Sequence, residues 1–360
     1  MSTRSMPAKR TNNLKAALII AGGRGTRFWP ASRGNRPKPL FSLNGTTTLI
    51  ADTVTRHQPL IPRERIFVLV PAEQRAPFAR ALRGLIPPKN VLIEPEGRGT
   101  TVAIAYGWAL IRERLGNVMM AVTPADHHVA PAAAFRRTLG QAFELARQEQ
   151  AIVVIGVTPG RADSGYGYMK IGPPVGAGFK VERFVEKPAL AAARTMVRSG
   201  KYLWNAGMFV MSGETLASEL AEHCPRLSDA MERPGAGAAA NLARAYRRLK
   251  LDSFDREVVE KSARVLGVRA QFRWNDVGSW NGLWEALRGP DGNALLGNVM
   301  AIDSGGVLAR GGDRLIVLLG VEDLVVVDDA DAILVAKRSR SQDVRRVIEE
   351  LERRRMHRYL

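Results

Sequence analysis

The chain lacks the features that mark secreted, membrane-spanning and cysteine-based metal proteins. Its 360 residues include a single cysteine, Cys224, which excludes an internal disulfide and any metal site built from several cysteines. No apolar run is long enough to cross a bilayer. Residues 1–14 are polar and basic without an apolar core, so the sequence predicts a disordered basic tail rather than a secretion signal. We therefore expect a cytoplasmic protein with no membrane partner.

Acidic residues are scarce relative to basic ones. The 53 lysines and arginines exceed the 35 aspartates and glutamates, which gives a formal net charge of +18. Such a charge is compatible with nucleic acid, an anionic membrane surface or phosphorylated small molecules as partners. The basic residues are dispersed, however, and no helix-turn-helix, zinc-finger or RNA-recognition pattern is present. The dispersion favours a generally arginine-rich composition, and we predict no nucleic-acid partner.

Short apolar runs alternate with segments of helical periodicity in the first half of the chain. The runs, rich in valine and isoleucine, are Ala16–Ile20, Ile66–Val70, Val91–Ile93, Val118–Val122 and Ile152–Val157. The helical segments between them are Thr48–Arg56, Glu73–Leu82, Thr100–Leu115 and Ala133–Arg147. This alternation is typical of a doubly wound α/β sheet with parallel strands. Since ligands of such sheets bind at the carboxyl ends of strands, we expect Gly22 and Asp126 to face one crevice.

The pattern becomes mixed from about residue 160 and consists of short β-like pieces from about Gly297 to Val335. These pieces, NVMAID, GVLARGG, RLIVLLG, DLVVVDD and AILVAK, are separated by glycine turns. An amphipathic helix is predicted over residues 341–356, with Ser341 as its N-cap and Val344, Ile348 and Leu351 on one face. We therefore predict one main domain over residues 15–290, and a small β appendage with a terminal helix over residues 291–360.

A glycine-rich turn follows the first predicted strand and leads to Arg27 and Lys38. The glycines of this turn are Gly22, Gly23 and Gly25. Glycine lets the backbone approach an anion closely and adopt positive φ. A Walker motif needs Gly-Lys-Ser/Thr, and the dinucleotide fingerprint needs a glycine where Phe28 stands, so neither motif is present. The turn leaves Arg27 and Lys38 available for phosphates, although a plain strand-to-helix turn explains the glycines equally well.

Seven sequence blocks, in order, resemble the sugar-1-phosphate nucleotidylyltransferases. They are GGRGTRFWPASRGNRPKPL (22–40), EPEGRGTTVAIAYG (94–107), TPADHHV (123–129), GYGYMKIG (165–172), FVEKPALAAA (184–193), WNAGMFVM (204–211) and RWNDVGSWNGLWEAL (273–287). The pairing of WNAGMF with WNDVGSW is similar to mannose-1-phosphate guanylyltransferases, or GDP-mannose pyrophosphorylases. The likeness covers about residues 15–340 and implies a Rossmann-like, doubly wound mixed sheet.

The resemblance implies transfer of GMP from GTP to α-D-mannose 1-phosphate, which gives GDP-mannose and pyrophosphate. The sugar phosphate would attack the nucleotide α-phosphate in line. Because this nucleophile is already an anion, catalysis consists of positioning and neutralisation of charge. Two alternatives stay open: another member of the superfamily that uses dTTP or UTP with glucose 1-phosphate, and a non-catalytic pyrophosphorylase-like regulatory subunit.

The resemblance also assigns roles to individual residues. Arg27 would contact the outer phosphates and Lys38 the phosphate under attack. The nucleotide would be held by Gly22, Gly23, Gly25, Arg98 and Thr100. The sugar phosphate would be held by Gly167, Glu186, Lys187 and Asn205. Mg²⁺ would be bound by Asp126 and Asp276. Without the resemblance, a helix or turn cap explains Asp126 equally well, and an Asx turn before Gly278 explains Asp276 equally well.

Further expectations concern a departure from the family pattern, two histidines and the oligomeric state. Gly99 stands where the family commonly has asparagine, which leaves the nucleotide contact at that position open. The adjacent His127 and His128 have no third ligand at helical spacing, so zinc is not expected and His127 is expected to fix the turn beside Asp126. The chain ends at Leu360 and resembles the short, monofunctional form of the family. In the family the appendage often supports subunit packing, which is compatible with a homodimer but leaves the oligomeric state open.

Overall fold

The fold consists of two units, each assembled from separate stretches of the chain. The computed structural model describes residues 14–23, 25–34, 36–43, 46–97, 99–232, 237–329 and 331–360. Arg98 and residues 1–13 of the predicted tail lie outside the described residues. Unit 1 comprises Met1–Leu18, Pro95–Thr123 and Thr138–Arg269. Unit 2 comprises Ile19–Glu94, Pro124–Arg137 and Ala270–Leu360.

Strands and helices alternate along the first half of the chain, as the apolar runs predict. The strands are β1 (Lys15–Ile20), β2 (Ile66–Pro71), β3 (Val91–Glu94), β4 (Met119–Pro124), β5 (His128–Ala130), β6 (Ile152–Val157), β7 (Tyr168–Val175), β8 (Gly178–Val185), β9 (Tyr202–Ser212), β10 (Val265–Arg269), β11 (Arg273–Asn275), β12 (Ala294–Leu296), β13 (Val299–Ile302), β14 (Leu308–Arg310), β15 (Ile316–Leu319), β16 (Leu324–Asp329) and β17 (Ala332–Lys337). The α-helices are α1 (Leu49–His57), α2 (Arg75–Ala81), α3 (Thr100–Leu115), α4 (Ala132–Glu149), α5 (Leu190–Arg198), α6 (Gly213–His223), α7 (Pro225–Glu232), α8 (Ala238–Ala245), α9 (Trp280–Leu287) and α10 (Val344–Arg353). The predicted strands of the first half are present as β1–β4 and β6, and the predicted helices as α1–α4.

Unit 1 is built on a mixed sheet with the strand order β4-β9-β6-β10-β8-β7. Strand β10 lies parallel to β6, with Val265 opposite Ile152, whereas β9 runs antiparallel to both β4 and β6. Residues Ile152–Ile155 are fully buried, which a strand covered on both faces requires. The α/β class and the mixed sheet are therefore as predicted.

Helix α3 packs on β1 more closely than a side chain at its centre would permit. A Cβ at Gly107 would come within 2.6 Å of a methyl group of Leu18. The absence of a side chain at Gly107 therefore sets the spacing between this helix and the strand. In the part of the chain that the structure describes, no helix is both long and apolar enough to span a membrane.

Unit 2 contains the carboxyl end of β1 beside β2 and β3, in the order β3-β2-β1. The N–H of Ala21, directly after β1, donates to the carbonyl of Leu69 in β2. The short strands β5 and β11 pair antiparallel, with Trp274 opposite Val129. This pairing brings the chain just after residue 126 beside the chain just before residue 276, so two distant predicted site residues meet in one unit.

The appendage is a stack of short parallel coils. Strands β12, β14 and β16 pair in parallel, as do β13 and β15, and β17 closes the larger sheet antiparallel to β16. The fully buried Leu308 lies opposite Ala294 on one side and Val325 on the other, so the interior is a ladder of apolar side chains. Turns with positive φ at Gly297 and Gly306 connect successive strands of the stack.

The terminal helix begins later than its sequence pattern indicates. Residues Arg338–Asp343 form a 3-10 helix, and α10 starts at Val344 with Asp343 as its capping residue. The prediction of Ser341 as N-cap is wrong, because Ser341 is buried inside the 3-10 helix, where the backbone is already helical. The apolar face is as predicted, since Val344, Ile348 and Leu351 belong to or pack against one core cluster.

That core cluster joins the glycine-rich turn, α9 and the appendage within unit 2. Its aromatic members include Phe28, Phe41 and Trp280, and the Phe28 and Trp280 ring centroids lie 4.8 Å apart. The fully buried Trp280 donates from Nε1 to the carbonyl of Trp29 at 3.1 Å. The appendage contributes Ala294, Leu308, Val325, Val327, Leu334 and Val344 to the same cluster. The segment that carries Arg27 and Lys38 is therefore supported by the appendage, and a domain boundary at residue 290 stays a prediction.

Candidate functional site

A small cavity in unit 2 lies at the glycine-rich turn after β1. It has a volume of about 160 Å³ and is lined by Gly22, Gly23, Gly25, Arg27, Phe28, Lys38, Asp126 and Gly278. Three separate segments thus contribute to its wall, and six of its eight lining residues were predicted as site residues. The cavity combines backbone without side chains, two cationic side chains and one carboxylate, which is a suitable setting for phosphates and a metal ion.

Two glycines of the turn are required by backbone conformation, and Gly25 is also required by space. Gly23 has φ +106° and Gly25 has φ +57°, values that side-chain-bearing residues rarely adopt. A Cβ at Gly25 would also lie 2.7 Å from the Cβ of Lys38 and 2.7 Å from Oγ of Ser32. By contrast, a Cβ at Gly22 or Gly23 would meet no atom within 4 Å, so these two positions border open space.

Lys38 is the central side chain of the cavity. It is only 7% exposed, and its Nζ donates to Oδ2 of Asp126 and to the backbone carbonyl of Asp276, both at 2.7 Å. Its Nζ also lies 5.7 Å from the centroid of the Phe28 ring. Flanking prolines restrict the backbone at this position. The ammonium group is therefore held in place by three different segments of unit 2.

The carboxylate of Asp126 is kept ionised by its neighbours. Burial raises the pKa of Asp126, but the adjacent Lys38 ammonium and hydrogen bonds to the carboxylate outweigh it, so the pKa lies below its ordinary value. A carboxylate in this state is a suitable ligand for a hard divalent cation. The structure therefore places Lys38 and Asp126 together, as the sequence predicts.

His127 is a neutral side chain that supports the turn at Asp126. Burial lowers the pKa of His127 to about 4. Its Nδ1 accepts a hydrogen bond from Nε1 of Trp274 at 3.1 Å, which leaves the ring proton on Nε2, 3.9 Å from Oδ1 of Asp126. Within the described residues, no three His, Cys, Asp or Glu side chains form a ready-made metal site.

Asp276 lies in a tight and strained turn. Its Oδ1 accepts from the N–H of Gly278 at 3.1 Å, the Asx-turn geometry that the sequence alone suggests. A Cβ at Gly278 would lie 2.5 Å from Oδ2 of Asp276, and Val277 has φ +45°, which is unusual for a β-branched residue. Ser279 then caps α9 by accepting from the N–H of Gly282. Strain of this kind concentrates at functional sites, and here it lies next to the Asp276 carbonyl that accepts from Lys38.

A second cluster of predicted residues lies in unit 1. The N–H of Asn205 donates to the carbonyl of Gly167 at 2.8 Å, and a Cβ at Gly167 would lie 2.5 Å from Oε2 of Glu186. The Glu186 side chain is 6% exposed, and its Oε1 accepts from Nζ of Lys187 at 2.8 Å. Its Oε2 is buried and has no hydrogen-bond partner in the described part of the chain. The structure therefore brings Gly167, Glu186, Lys187 and Asn205 together.

Asp255 belongs to this second cluster and was missed by the sequence analysis. Its Oδ1 accepts from Nδ2 of Asn205 at 2.5 Å. Burial, reinforced by the nearby Glu186, raises the pKa of Asp255 to about 6. Asp255 begins a short π-helix, Asp255–Val259, a rare conformation that often occurs at functional sites. The surrounding sequence matches none of the family blocks, so only the fold reveals this residue.

The N-terminus of α3, where a nucleotide contact is predicted, is occupied by contacts within unit 1. Gly99 has φ +92°, and a Cβ there would lie 2.7 Å from the carbonyl oxygen of Leu251. The hydroxyl of Thr100 accepts from the N–H of Phe254 at 2.9 Å. A side chain at this position would meet the Leu251 carbonyl, so glycine is the residue that fits the local packing. The roles of Thr100 and of Arg98, which lies outside the described residues, stay predictions.

The chain belongs to the nucleotidyl transferase family, since the family model described as nucleotidyl transferase matches residues 16–290. A second family model, described as a MannoseP isomerase/GMP-like beta-helix domain, matches residues 297–351. These matches confirm the resemblance carried by the seven sequence blocks.

Three individual relatives show which members of the family this chain is similar to. Xanthan biosynthesis protein XanB of Xanthomonas campestris pv. campestris is 36% identical over 343 residues, which span 93% of this chain and 73% of that protein. A mannose-1-phosphate guanylyltransferase of Escherichia coli is 35% identical over 354 residues, with the same coverage of each. The crystal structure described as mannose-1-phosphate geranyltransferase from Thermus thermophilus is 37% identical, with a TM-score of 0.85 over 94% of this chain and 99% of that chain.

Proposed function

We propose that this protein transfers GMP from GTP to α-D-mannose 1-phosphate and releases pyrophosphate. The observation that carries the proposal is the fixed Lys38 ammonium between Asp126 and the Asp276 carbonyl, at the edge of a glycine-lined cavity. The 35% identity to an enzyme named mannose-1-phosphate guanylyltransferase supports the choice of base and sugar.

The nucleotide half of the reaction is assigned to unit 2. The glycine turn accommodates the triphosphate, Arg27 binds its outer phosphates and Lys38 neutralises charge on the α-phosphate. An oxygen of the sugar phosphate forms a new bond to the α-phosphorus while the bond to the β-phosphate oxygen breaks, so the electron pair leaves with pyrophosphate. No residue becomes covalently attached, and the contribution of the protein is preorganised positive charge.

Two aspartates fit the Mg²⁺ that this reaction requires. Asp126 contacts Lys38 through its carboxylate, which is ionised at neutral pH, and Asp276 contacts Lys38 through its backbone carbonyl. Mg²⁺ typically takes one or two protein carboxylates and completes its octahedron with phosphate oxygens and water, so a cluster of three protein ligands is not needed. When bound, the ion would neutralise triphosphate charge and act as a Lewis acid.

The sugar half is assigned to the cluster in unit 1. Lys187 is half-exposed and offers its ammonium to the sugar phosphate, while the buried Oε2 of Glu186 accepts a sugar hydroxyl. Asn205 is oriented by Asp255 on one side and by the N–H of Gly207 on the other. A buried carboxylate oxygen without a protein partner is costly, and a bound hydroxyl would remove that cost.

A homodimer through the appendage is part of the proposal. Exposed apolar side chains of β13 and β15 lie in register, Met300 opposite Val317 and Ile302 opposite Leu319, and so form one continuous stripe. A stripe of this kind suits a second copy of the same face. Leu319→Asp should therefore halve the mass measured by light scattering, whereas Leu190→Asp, at an exposed leucine on α5, should leave it unchanged. A wild-type protein that is monomeric at micromolar concentration would contradict the dimer.

The reaction itself is tested by identifying both products. Incubation with GTP, mannose 1-phosphate and Mg²⁺ should give GDP-mannose and pyrophosphate in equal amounts, separated by anion-exchange chromatography. Omission of either substrate should abolish both products. The proposal fails if both substrates are present and neither product forms, the result expected of a non-catalytic subunit.

A further inference from the structure

Three arginines of the segment between the glycine-rich turn and Lys38 contact the appendage within unit 2. Arg33 forms an ion pair with Asp331 at 2.5 Å, and Arg36 forms one with Asp329. Arg27 donates from Nη1 to Oε1 of Gln342 at 3.1 Å. Trp29 of the same segment also contacts the appendage, because its Nε1 donates to the carbonyl of Tyr359 at 2.8 Å.

Arg27 differs from the other two arginines in the charge of the side chain that it contacts. Arg33 and Arg36 are neutralised by aspartates, so their contribution is to anchor the segment. Arg27 lines the cavity, and no carboxylate in the described residues forms an ion pair with it. An amide oxygen orients a guanidinium but leaves its net charge intact, whereas a carboxylate would cancel it.

Gln342 is carried by a well-supported part of the appendage. It belongs to the 3-10 helix Arg338–Asp343, between the buried residues Ser341 and Val344. Val344 is a member of the same core cluster as Phe28, the residue after Arg27. The Gln342 backbone is therefore fixed relative to the backbone of Arg27, although its side chain is exposed.

We propose that Gln342 is a positioning residue of the triphosphate site, which orients the Arg27 guanidinium toward the cavity without neutralising it. The appendage therefore contributes to nucleotide binding and not only to subunit packing. This inference rests on the proposed function, since it takes the anionic ligand of Arg27 to be the triphosphate of GTP.

Two substitutions at Gln342 separate positioning from simple structural support. Gln342→Ala removes the hydrogen bond and should weaken GTP binding about three- to tenfold. Gln342→Glu keeps an acceptor but adds a charge that competes with the triphosphate, so it should weaken GTP binding further, about ten- to a hundredfold. A merely structural role predicts the opposite order, because glutamate would bind Arg27 more tightly than glutamine does.

The measurement is GTP binding by calorimetry with Mg²⁺ and without sugar phosphate, together with the KM of each substrate. The KM for mannose 1-phosphate should change less than about twofold in both variants, because Gln342 does not belong to the sugar cluster. Gln150→Glu, at an exposed position after α4, is the control for the charge change alone and should bind GTP like wild type. Circular dichroism checks that all variants are folded.

The outcomes distinguish this inference from the proposed function. If wild type turns over GTP and mannose 1-phosphate but Gln342→Glu binds GTP at least as tightly as Gln342→Ala, the positioning role is wrong and the function stands. If the two variants follow the expected order in GTP binding while wild type forms no GDP-mannose, the positioning role stands and the function is wrong.

Discussion

Replacement of Lys38 by methionine tests the arrangement on which the catalytic assignment rests. The substitution keeps most of the side-chain volume but removes an ammonium that makes two hydrogen bonds of 2.7 Å, to Asp126 and to the Asp276 carbonyl. Loss of one preorganised group aimed at developing charge costs about 10²–10³ in turnover, or roughly 3–4 kcal/mol. We therefore expect Lys38→Met to lower kcat by about two to three orders of magnitude in a pyrophosphate-release assay at saturating substrates.

The same substitution has a second, independent consequence for Asp126. Without the adjacent cation, burial is the dominant influence, so the pKa of Asp126 rises and its carboxylate ionises only at higher pH. The acid limb of the residual pH–rate profile should move to higher pH accordingly. Lys250→Met, at an exposed lysine of unit 1, is the matched control and should behave like wild type. If Lys38→Met retained more than about a tenth of wild-type turnover, the assignment of Lys38 to the chemical step would be refuted.

Three further predictions concern the sugar cluster, the metal ligands and the pH dependence of stability. Lys187→Ala should raise the KM for mannose 1-phosphate about thirtyfold, the equivalent of about 2 kcal/mol for one charge-assisted phosphate contact, while the KM for GTP stays unchanged. An unaltered KM for mannose 1-phosphate would show that Lys187 does not bind the sugar phosphate. Asp126→Asn and Asp276→Asn should each lower turnover by about two orders of magnitude and remain folded, and near-normal activity of either variant at ordinary Mg²⁺ would remove that aspartate from the metal site. Burial lowers the pKa of His57 from 6.5 to about 4, so between these values the unfolded chain binds a proton that the folded chain does not. The resulting stability is fully present above pH 6.5 and is lost as pH falls toward 4. In urea unfolding, His57→Gln should remove a slope of about 1.4 kcal/mol per pH unit from the free energy of unfolding between these pH values. Equal slopes in both proteins would show that His57 is not responsible.

Much of the glycine-lined cavity was predictable because its residues lie at the ends of recognisable strands. The run Ala16–Ile20 and the glycines after it indicate where a parallel strand ends, and Asp126 follows another such strand. Both are therefore expected at the carboxyl ends of strands, and in the structure Asp126 and Lys38 are in contact. The approach of Asp276 depends instead on β11 pairing with β5, a long-range contact that local periodicity does not encode.

Other features depend on burial and register, which a single sequence does not reveal. Asp255 acquires its raised pKa only because the fold buries it beside Glu186, and its π-helix has no sequence signature. The glycine turns of the appendage indicate short strands but not their stacking as parallel coils, since either hairpins or coils fit the same pattern. Ser341 has the side chain of a good N-cap, yet tertiary packing buries it and moves the start of α10 to Val344.

The specificity constants for different pairs of substrates test the central claim most directly. Pyrophosphate release would be measured with GTP, dTTP and UTP, each combined with mannose 1-phosphate and with glucose 1-phosphate, at fixed Mg²⁺. We predict the highest kcat/KM for GTP with mannose 1-phosphate. A preference of tenfold or more for dTTP or UTP with glucose 1-phosphate would contradict the assignment and identify a nucleotidyl transferase of different specificity.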